Sequence, residues 1–170
     1  MSIPIAISGT DLIGQARTGT GKTLAFGVSA LQRIVLPGDE GWTQSGSRLP
    51  QALVMCPTRE LALQVSRDID TAARVRGARV LTVYGGVGYD SQIDALKRGV
   101  DVVVGTPGRL LDLVGRRDLN LTSCSIVVLD EADEMLDLGF LPDVEKLLGH
   151  CPTSRQTMPV SYTHLTLPTS

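Results

Sequence analysis

Aromatic residues are scarce, 4% of the 170 positions, with one Trp, three Tyr and two Phe. A chain that held nucleobases on a broad stacking platform would need more of them, so that mode is not expected. Cysteine is sparse as well. Cys56, Cys124 and Cys151 are odd in number, far apart and form no Cys-x-x-Cys pair. This excludes a disulfide scaffold or a zinc ribbon and suits reduced thiols in a cytoplasmic protein. No run of 18 apolar residues and no signal peptide occurs, so neither a membrane partner nor export is expected. An excess of one charge is also missing: 16 Lys and Arg stand against 18 Asp and Glu, for a net charge of -2. Without a global basic field, any contact with a polyanion has to be local. What the chain does have is 42% hydrophobic residues at the length of one domain, enough for a proper core.

The most informative stretch is Ala16-Arg17-Thr18-Gly19-Thr20-Gly21-Lys22-Thr23. It fits the phosphate-binding pattern G-x-x-x-x-G-K-[ST], with Ala16 in place of the first glycine. Asp11-Leu12-Ile13-Gly14 before it suits a strand end, and Leu24, Val28, Leu31 and Val35 after it recur at helical spacing. Strand, glycine-rich loop and helix are the context the motif needs. Successive backbone N–H groups and the positive end of the new helix then face an anion. Lys22 is expected to reach the β- and γ-phosphates, and the Thr23 hydroxyl to ligate Mg²⁺. The competing reading is a glycine-rich turn that merely caps a helix.

Residues 37–50 are rich in Gly, Ser and Pro and read as a surface loop, with Trp42 packed on the domain wall. Four apolar runs follow: Ala52–Met55, Val80–Val83, Val102–Val104 and Ile126–Leu129. Runs of this kind suit strands covered on both faces, as in a parallel sheet. Helical patterns lie between them, over Thr58–Arg76, Ser91–Arg98 and Pro107–Val114. Alternation predicts an α/β fold with a doubly wound, mostly parallel sheet and ligands at the carboxyl ends of the strands.

The run Ile126–Leu129 leads straight into Asp130-Glu131-Ala132-Asp133. An acidic residue ending a buried strand, in a chain with a phosphate loop, is the second half of an ATP site. Asp130 is the expected Mg²⁺ holder, and Glu131 is placed to orient or deprotonate the attacking water. A helix start favoured by the macrodipole could explain one of these carboxylates, less easily three in four residues.

Taken together, Ala16–Thr23, Pro57-Thr58-Arg59-Glu60-Leu61-Ala62, Gly85-Gly86, Thr106-Pro107-Gly108-Arg109 and Asp130–Asp133 stand in the order found in the DEAD-box family of ATP-dependent RNA helicases, which this chain resembles over nearly all of its length up to Met158. The resemblance implies the first of two RecA-like P-loop domains, ATP and Mg²⁺ as cofactors, and catalytic roles for Glu131, Lys22 and Asp130. It also implies that Pro57, Thr58, Arg59, Gly85, Gly86, Thr106, Pro107, Gly108 and Arg109 hold single-stranded or short duplex RNA by its backbone. Asp133 would couple the nucleotide to the RNA face. Physically, each of the two Thr-Arg segments follows a strand and opens a helix, which suits a phosphate grip insensitive to base sequence. Each has a plainer explanation too, since Thr is a good N-cap and Pro a good first-turn residue.

The chain departs from that pattern in three places. It starts too late to hold the family's upstream adenine-reading Gln motif. It holds no second RecA-like domain and hence none of that domain's arginine finger. After Met158 the family continues as an apolar strand, whereas Pro159 here would remove a ladder donor. Residues 1–158 are therefore expected to form the ATP-binding domain, truncated at its start, and 159–170 a non-native or disordered tail. Two other functional readings stay open: a P-loop ATPase acting on DNA, and a non-catalytic nucleotide- or RNA-binding module.

Overall fold

The computed structural model describes the backbone of residues 14–15, 19–42 and 48–161, and side chains over 25–42 and 48–160. Its centre is a six-stranded sheet in the order β1-β6-β5-β2-β4-β3. The strands are β1 (Gly14–Gln15), β2 (Ala52–Met55), β3 (Val80–Val83), β4 (Val102–Gly105), β5 (Ile126–Leu129) and β6 (Gln156–Ser161). Every pairing is parallel. The helices are α1 (Gly19–Arg33), α2 (Arg59–Arg76), α3 (Asp90–Arg98), α4 (Pro107–Gly115), α5 (Ala132–Asp137) and α6 (Leu141–Gly149).

Side chains of the inner strands point alternately to two cores, because successive residues of a strand face opposite sides of its sheet. Ala52, Val54, Val102, Val104, Ile126 and Val128 face a layer built by Phe26 and Ala30 of α1, Ile34 just after it, and Val65, Ile69 and Ala73 of α2. Leu53, Met55, Val103 and Val127 face the other layer, where Leu110 and Leu113 of α4, Met135 of α5 and Val144 and Leu147 of α6 pack. Burial on both faces explains why β2 and β4 are uninterrupted apolar runs. β3 is different. It is an edge strand, and only its last residue, Val83, is fully buried.

One expectation is overturned at the C-terminal side. The boundary placed after Met158 falls inside β6, and Pro159 sits in that strand, opposite Leu129 of β5. The strand survives because its inward face repeats every second residue: Gln156, Met158 and Val160 are all 2% exposed or less. Pro159 lies on the alternate face. It occupies the last rung shared with β5, one residue before the rung that joins Val160 to Gly14 of β1. A missing donor there removes little from either ladder. Residues 162–170 lie outside the described residues, as do 1–13.

All six strands being parallel, their carboxyl ends form one edge. Backbone bonds carry the ladders one rung past the strands at this edge. Cys56 N–H donates to Gly105 O at 2.9 Å, Asp130 N–H to Met55 O at 2.9 Å and Thr106 N–H to Val83 O at 3.1 Å. The turns that bear the motifs are thus fixed to one another before any side chain is considered.

Candidate nucleotide and nucleic-acid site

The edge carries three strand-to-helix turns with chemistry on them. After β5, Asp130 is 2% exposed and lines the same small cavity as Phe26 and Gly27 of α1. The helix that follows the phosphate loop and the acidic strand end are therefore neighbours, as a shared nucleotide site requires. Ala16, Arg17 and Thr18 lie outside the described residues. So do the side chains of Thr20, Lys22 and Thr23; the backbone of residues 19–23 forms the start of α1.

Glu131 has φ 50° and ψ 55°, the left-handed region that non-glycine residues rarely enter. It occupies the N-cap of α5, half-buried, and its side chain makes no capping bond to the helix backbone. Its carboxyl is held above the ordinary glutamate range, chiefly by burial, then by the charges of Glu134 and Asp130 and by a hydrogen bond with the Glu134 side chain. The thiol of Cys56, fully buried, is pushed well up by desolvation first and by Asp130 and Glu131 after that. Carboxylates gathered this way favour a cation. No group of three or more His, Cys, Asp or Glu side chains that could cage a metal occurs among the described residues. Asp133 lies half-buried in the first turn of α5.

After β2, Pro57 is buried and Thr58 is the N-cap of α2, its hydroxyl accepting from Leu61 N–H at 3.2 Å. Arg59 is exposed, and its guanidinium lies over the Tyr84 ring, 4.8 Å from the centroid. Tyr84 directly follows β3 and precedes Gly85-Gly86. Gly86 adopts φ +85°, and a Cβ there would come within 3.7 Å of Arg59 Nη1. Two sequence motifs 26 residues apart, at Arg59 and Gly85, meet here in space.

After β4 the use of residues changes. Gly105 has no room for a side chain, since a Cβ would stand 2.7 Å from Val83 O and 3.0 Å from Leu110. Thr106 caps α4 with no side-chain bond, Pro107 is buried in the first turn and Gly108 is exposed. Arg109 does not reach outward as an open phosphate grip. It is 9% exposed, donates from Nη1 to Gln92 Oε1 at 3.0 Å and from Nη2 to Val87 O at 2.8 Å, and covers the Tyr89 ring at 4.1 Å. Arg116 covers the same ring at 4.3 Å and bonds Asp118. The Tyr89 hydroxyl donates to Asp112.

Sequence reasoning missed Tyr84, Tyr89 and Gln92. The signal for the first was its place between a strand and Gly-Gly. For Gln92 there was none, because an amide in a polar nine-residue helix looks like a surface residue.

The family model described as DEAD/DEAH box helicase matches residues 1–165. The chain is 48% identical over 162 residues to the DEAD-box ATP-dependent RNA helicase CshA of Streptococcus pneumoniae, covering 95% of this chain and 29% of that protein. To a chloroplastic DEAD-box ATP-dependent RNA helicase of Zea mays it is 50% identical over 158 residues, covering 93% and 21%. To the ATP-dependent RNA helicase RhlB of Haemophilus influenzae it is 44% identical over 165 residues, covering 96% and 39%. The chain thus spans well under half the length of these curated relatives. No helix among the described residues is long and apolar enough to cross a membrane.

Proposed function

Since the chain belongs to the DEAD/DEAH box helicase family, we propose that it is the ATP-binding domain of an ATP-dependent RNA helicase, holding RNA by its backbone on the same sheet edge that holds the nucleotide. The observation that carries this reading is the stitched edge. Asp130 N–H bonds the end of β2, and the end of β2 bonds the end of β4, so carboxylates and phosphate grips share one rigid frame.

In this reading the backbone of Ala16–Thr23 cradles the phosphates and Lys22 offsets their charge. Asp130 and the Thr23 hydroxyl are the residues that would hold Mg²⁺, which when bound neutralises charge developing between the β- and γ-phosphates. Glu131 orients the attacking water and takes its proton. Its raised proton affinity suits a base that must accept a proton near neutral pH. The RNA backbone is met by Arg59, by the Gly85-Gly86 backbone and by the start of α4. There the unengaged Thr106 hydroxyl and the first-turn N–H groups have no intrahelical partner. Phosphate contacts of this type carry no base preference. Asp133 is the proposed link between the two halves. In the whole protein a second RecA-like domain would close over both ligands and add positive charge on the departing phosphate, and the compartment would be cytoplasmic.

Calorimetry with ATP and ADP in Mg²⁺ tests the nucleotide half. Lys22→Ala is expected to weaken binding roughly ten- to hundredfold, the worth of one charge-assisted contact. Equal binding by the variant removes Lys22 from the site. The chain alone is expected to hydrolyse ATP negligibly with or without RNA, because an arginine finger supplied by a second domain is worth roughly 10³–10⁵ in rate. Robust RNA-stimulated turnover that Glu131→Gln abolishes would show the domain to be self-sufficient. The alternative of a DNA-directed ATPase is decided by titrating matched RNA and DNA strands against the chain.

A further inference from the structure

The only fully buried residue of α3 is polar. Gln92 is 4% exposed, while the remaining positions of that helix are half-buried or exposed. A buried amide is costly unless both its donor and its acceptor are used. Here both are. Nε2 donates to Tyr84 O at 3.3 Å, and Oε1 accepts from Arg109 Nη1 at 3.0 Å. Tyr84 carries Arg59 on its ring, and Arg109 carries the carbonyl of Val87. One amide therefore joins the outward arginine of the β2 turn to the inward arginine of the β4 turn, across the segment that contains Gly85 and Gly86.

We propose that Gln92, with Arg109 as its partner, is a positioning residue for RNA: the pair clamps residues 84–92 so that Arg59, the Gly85-Gly86 backbone and the first turn of α4 present one continuous set of phosphate donors. This rests on the reading of the edge as an RNA-backbone site. The segment 84–89 has little else to hold it. Gly85, Gly86, Val87 and Gly88 are all exposed, and three of those four residues are glycines, the least restricted residues in the unfolded chain. A Gly-rich loop left to itself samples many shapes, and each loses the register between Arg59 and α4. Arg109 fixes it at Val87, Gln92 at Tyr84, and Tyr89 at Asp112. Arg109 acts in this clamp through protein acceptors and not by touching phosphate, because both of its terminal nitrogens are engaged and its side chain is buried.

The test uses the whole chain and a fluorescein-labelled oligouridylate of about ten nucleotides, within the usual single-strand site sizes. Binding is read by anisotropy in about 50 mM salt, with ATP affinity and Tm measured alongside. Gln92→Leu removes both arms of the amide. It is expected to weaken RNA binding about tenfold, the worth of one misplaced phosphate contact, with ATP affinity unchanged. A merely structural role would lower both affinities together, and that result overturns the proposal. Arg109→Gln is expected to weaken RNA binding similarly, and the double variant no further, because both substitutions open one clamp. Additive losses would show Arg109 gripping RNA independently and would also overturn it. If Gln92→Leu does not fold, Gln92→Glu keeps the volume and the Arg109 arm but sets a carboxylate against the Tyr84 carbonyl; RNA binding at the original strength then overturns the proposal. Arg59→Ala separates the two readings. If the unaltered chain binds no RNA, or Arg59→Ala binds as well as the original, the RNA site itself is wrong. If Arg59→Ala weakens binding and Gln92→Leu does not, the site stands and only the clamp falls.

Discussion

At the end of β2 the threonine serves its own helix and the arginine faces outward. At the end of β4 the threonine hydroxyl caps nothing and the arginine is folded inward. The two segments, Pro57-Thr58-Arg59 and Thr106-Pro107-Gly108-Arg109, look alike as sequence, and each supplies one contact to the surface and one to the frame. They differ in what lies beside them. β2 is an inner strand, and Arg59 in its turn lies over the face of the Tyr84 ring. β4 is flanked by the edge strand β3, whose loop brings in a bare carbonyl at Val87 and the Gln92 amide. A guanidinium is drawn to the place with acceptors, since its planar set of donors can satisfy several at once.

The largest consequence should appear when the arginines are removed. Arg109→Ala leaves the Val87 carbonyl and the buried Gln92 oxygen without a donor. Hydrogen bonds to charged groups contribute about 1.5–3 kcal/mol each, and orphaned buried acceptors cost a similar amount. A loss of about 3 kcal/mol in urea unfolding is expected, which for a domain of this size lowers Tm by roughly 6–12 °C. Arg59→Ala removes an exposed group and should stay within about 0.5 kcal/mol. Equal stability losses for the two variants would erase the distinction between an inward and an outward arginine.

The threonines should reverse that ranking at a smaller scale. Thr58→Ala removes a working N-cap and is expected to cost about 1 kcal/mol. Thr106→Ala removes a hydroxyl with no capping bond and should cost less than about 0.5 kcal/mol, while weakening RNA binding. If Thr106→Ala destabilises as much as Thr58→Ala, the hydroxyl belongs to the frame and not to the ligand surface.

The difference between the two turns also shows where reading the sequence stops. β2, β4 and β5 were legible because runs of three or four consecutive apolar residues bounded by turns are hard to read otherwise. The motifs marked the edge, because parallel strands send their turns to one side. The inward fold of Arg109 was not legible, since it depends on partners 17 and 22 residues away whose approach is set by sheet order. β6 was misread for a related reason. Pro159 dominates its local pattern, whereas the alternation of Gln156, Met158 and Val160 is what the sheet responds to. The helices after Asp133 were passed over because α5 has only six residues, and Leu136, Leu138 and Leu141 are apolar yet exposed, which blurs the helical period.

The turn after β5 is the third of its kind and has neither a threonine cap nor an arginine clamp. What it has is Glu131 in a left-handed conformation beside two other carboxylates. Burial, Glu134 and Asp130 all resist its ionisation, so its folded pKa lies above the unfolded value near 4.5. A carboxyl shifted upward stabilises the fold only while it is protonated; that stability is complete below about 4.5 and is lost as pH rises through the raised value. Glu131→Gln keeps the backbone strain and the side-chain length but removes the charge. In chelator and without nucleotide, the variant is therefore expected to melt above the original at pH 7, and the gap should close as pH falls toward 4.5 and below. The effect should be the smallest of the set, because a half-buried carboxyl is partly screened by solvent. Glu131→Gly probes the other contribution, since it relieves the left-handed strain at every pH. A Glu131→Gln variant no more stable than the original at pH 7 would mean that the backbone, and not the gathered charge, is what this turn sacrifices for its position at the proposed nucleotide site.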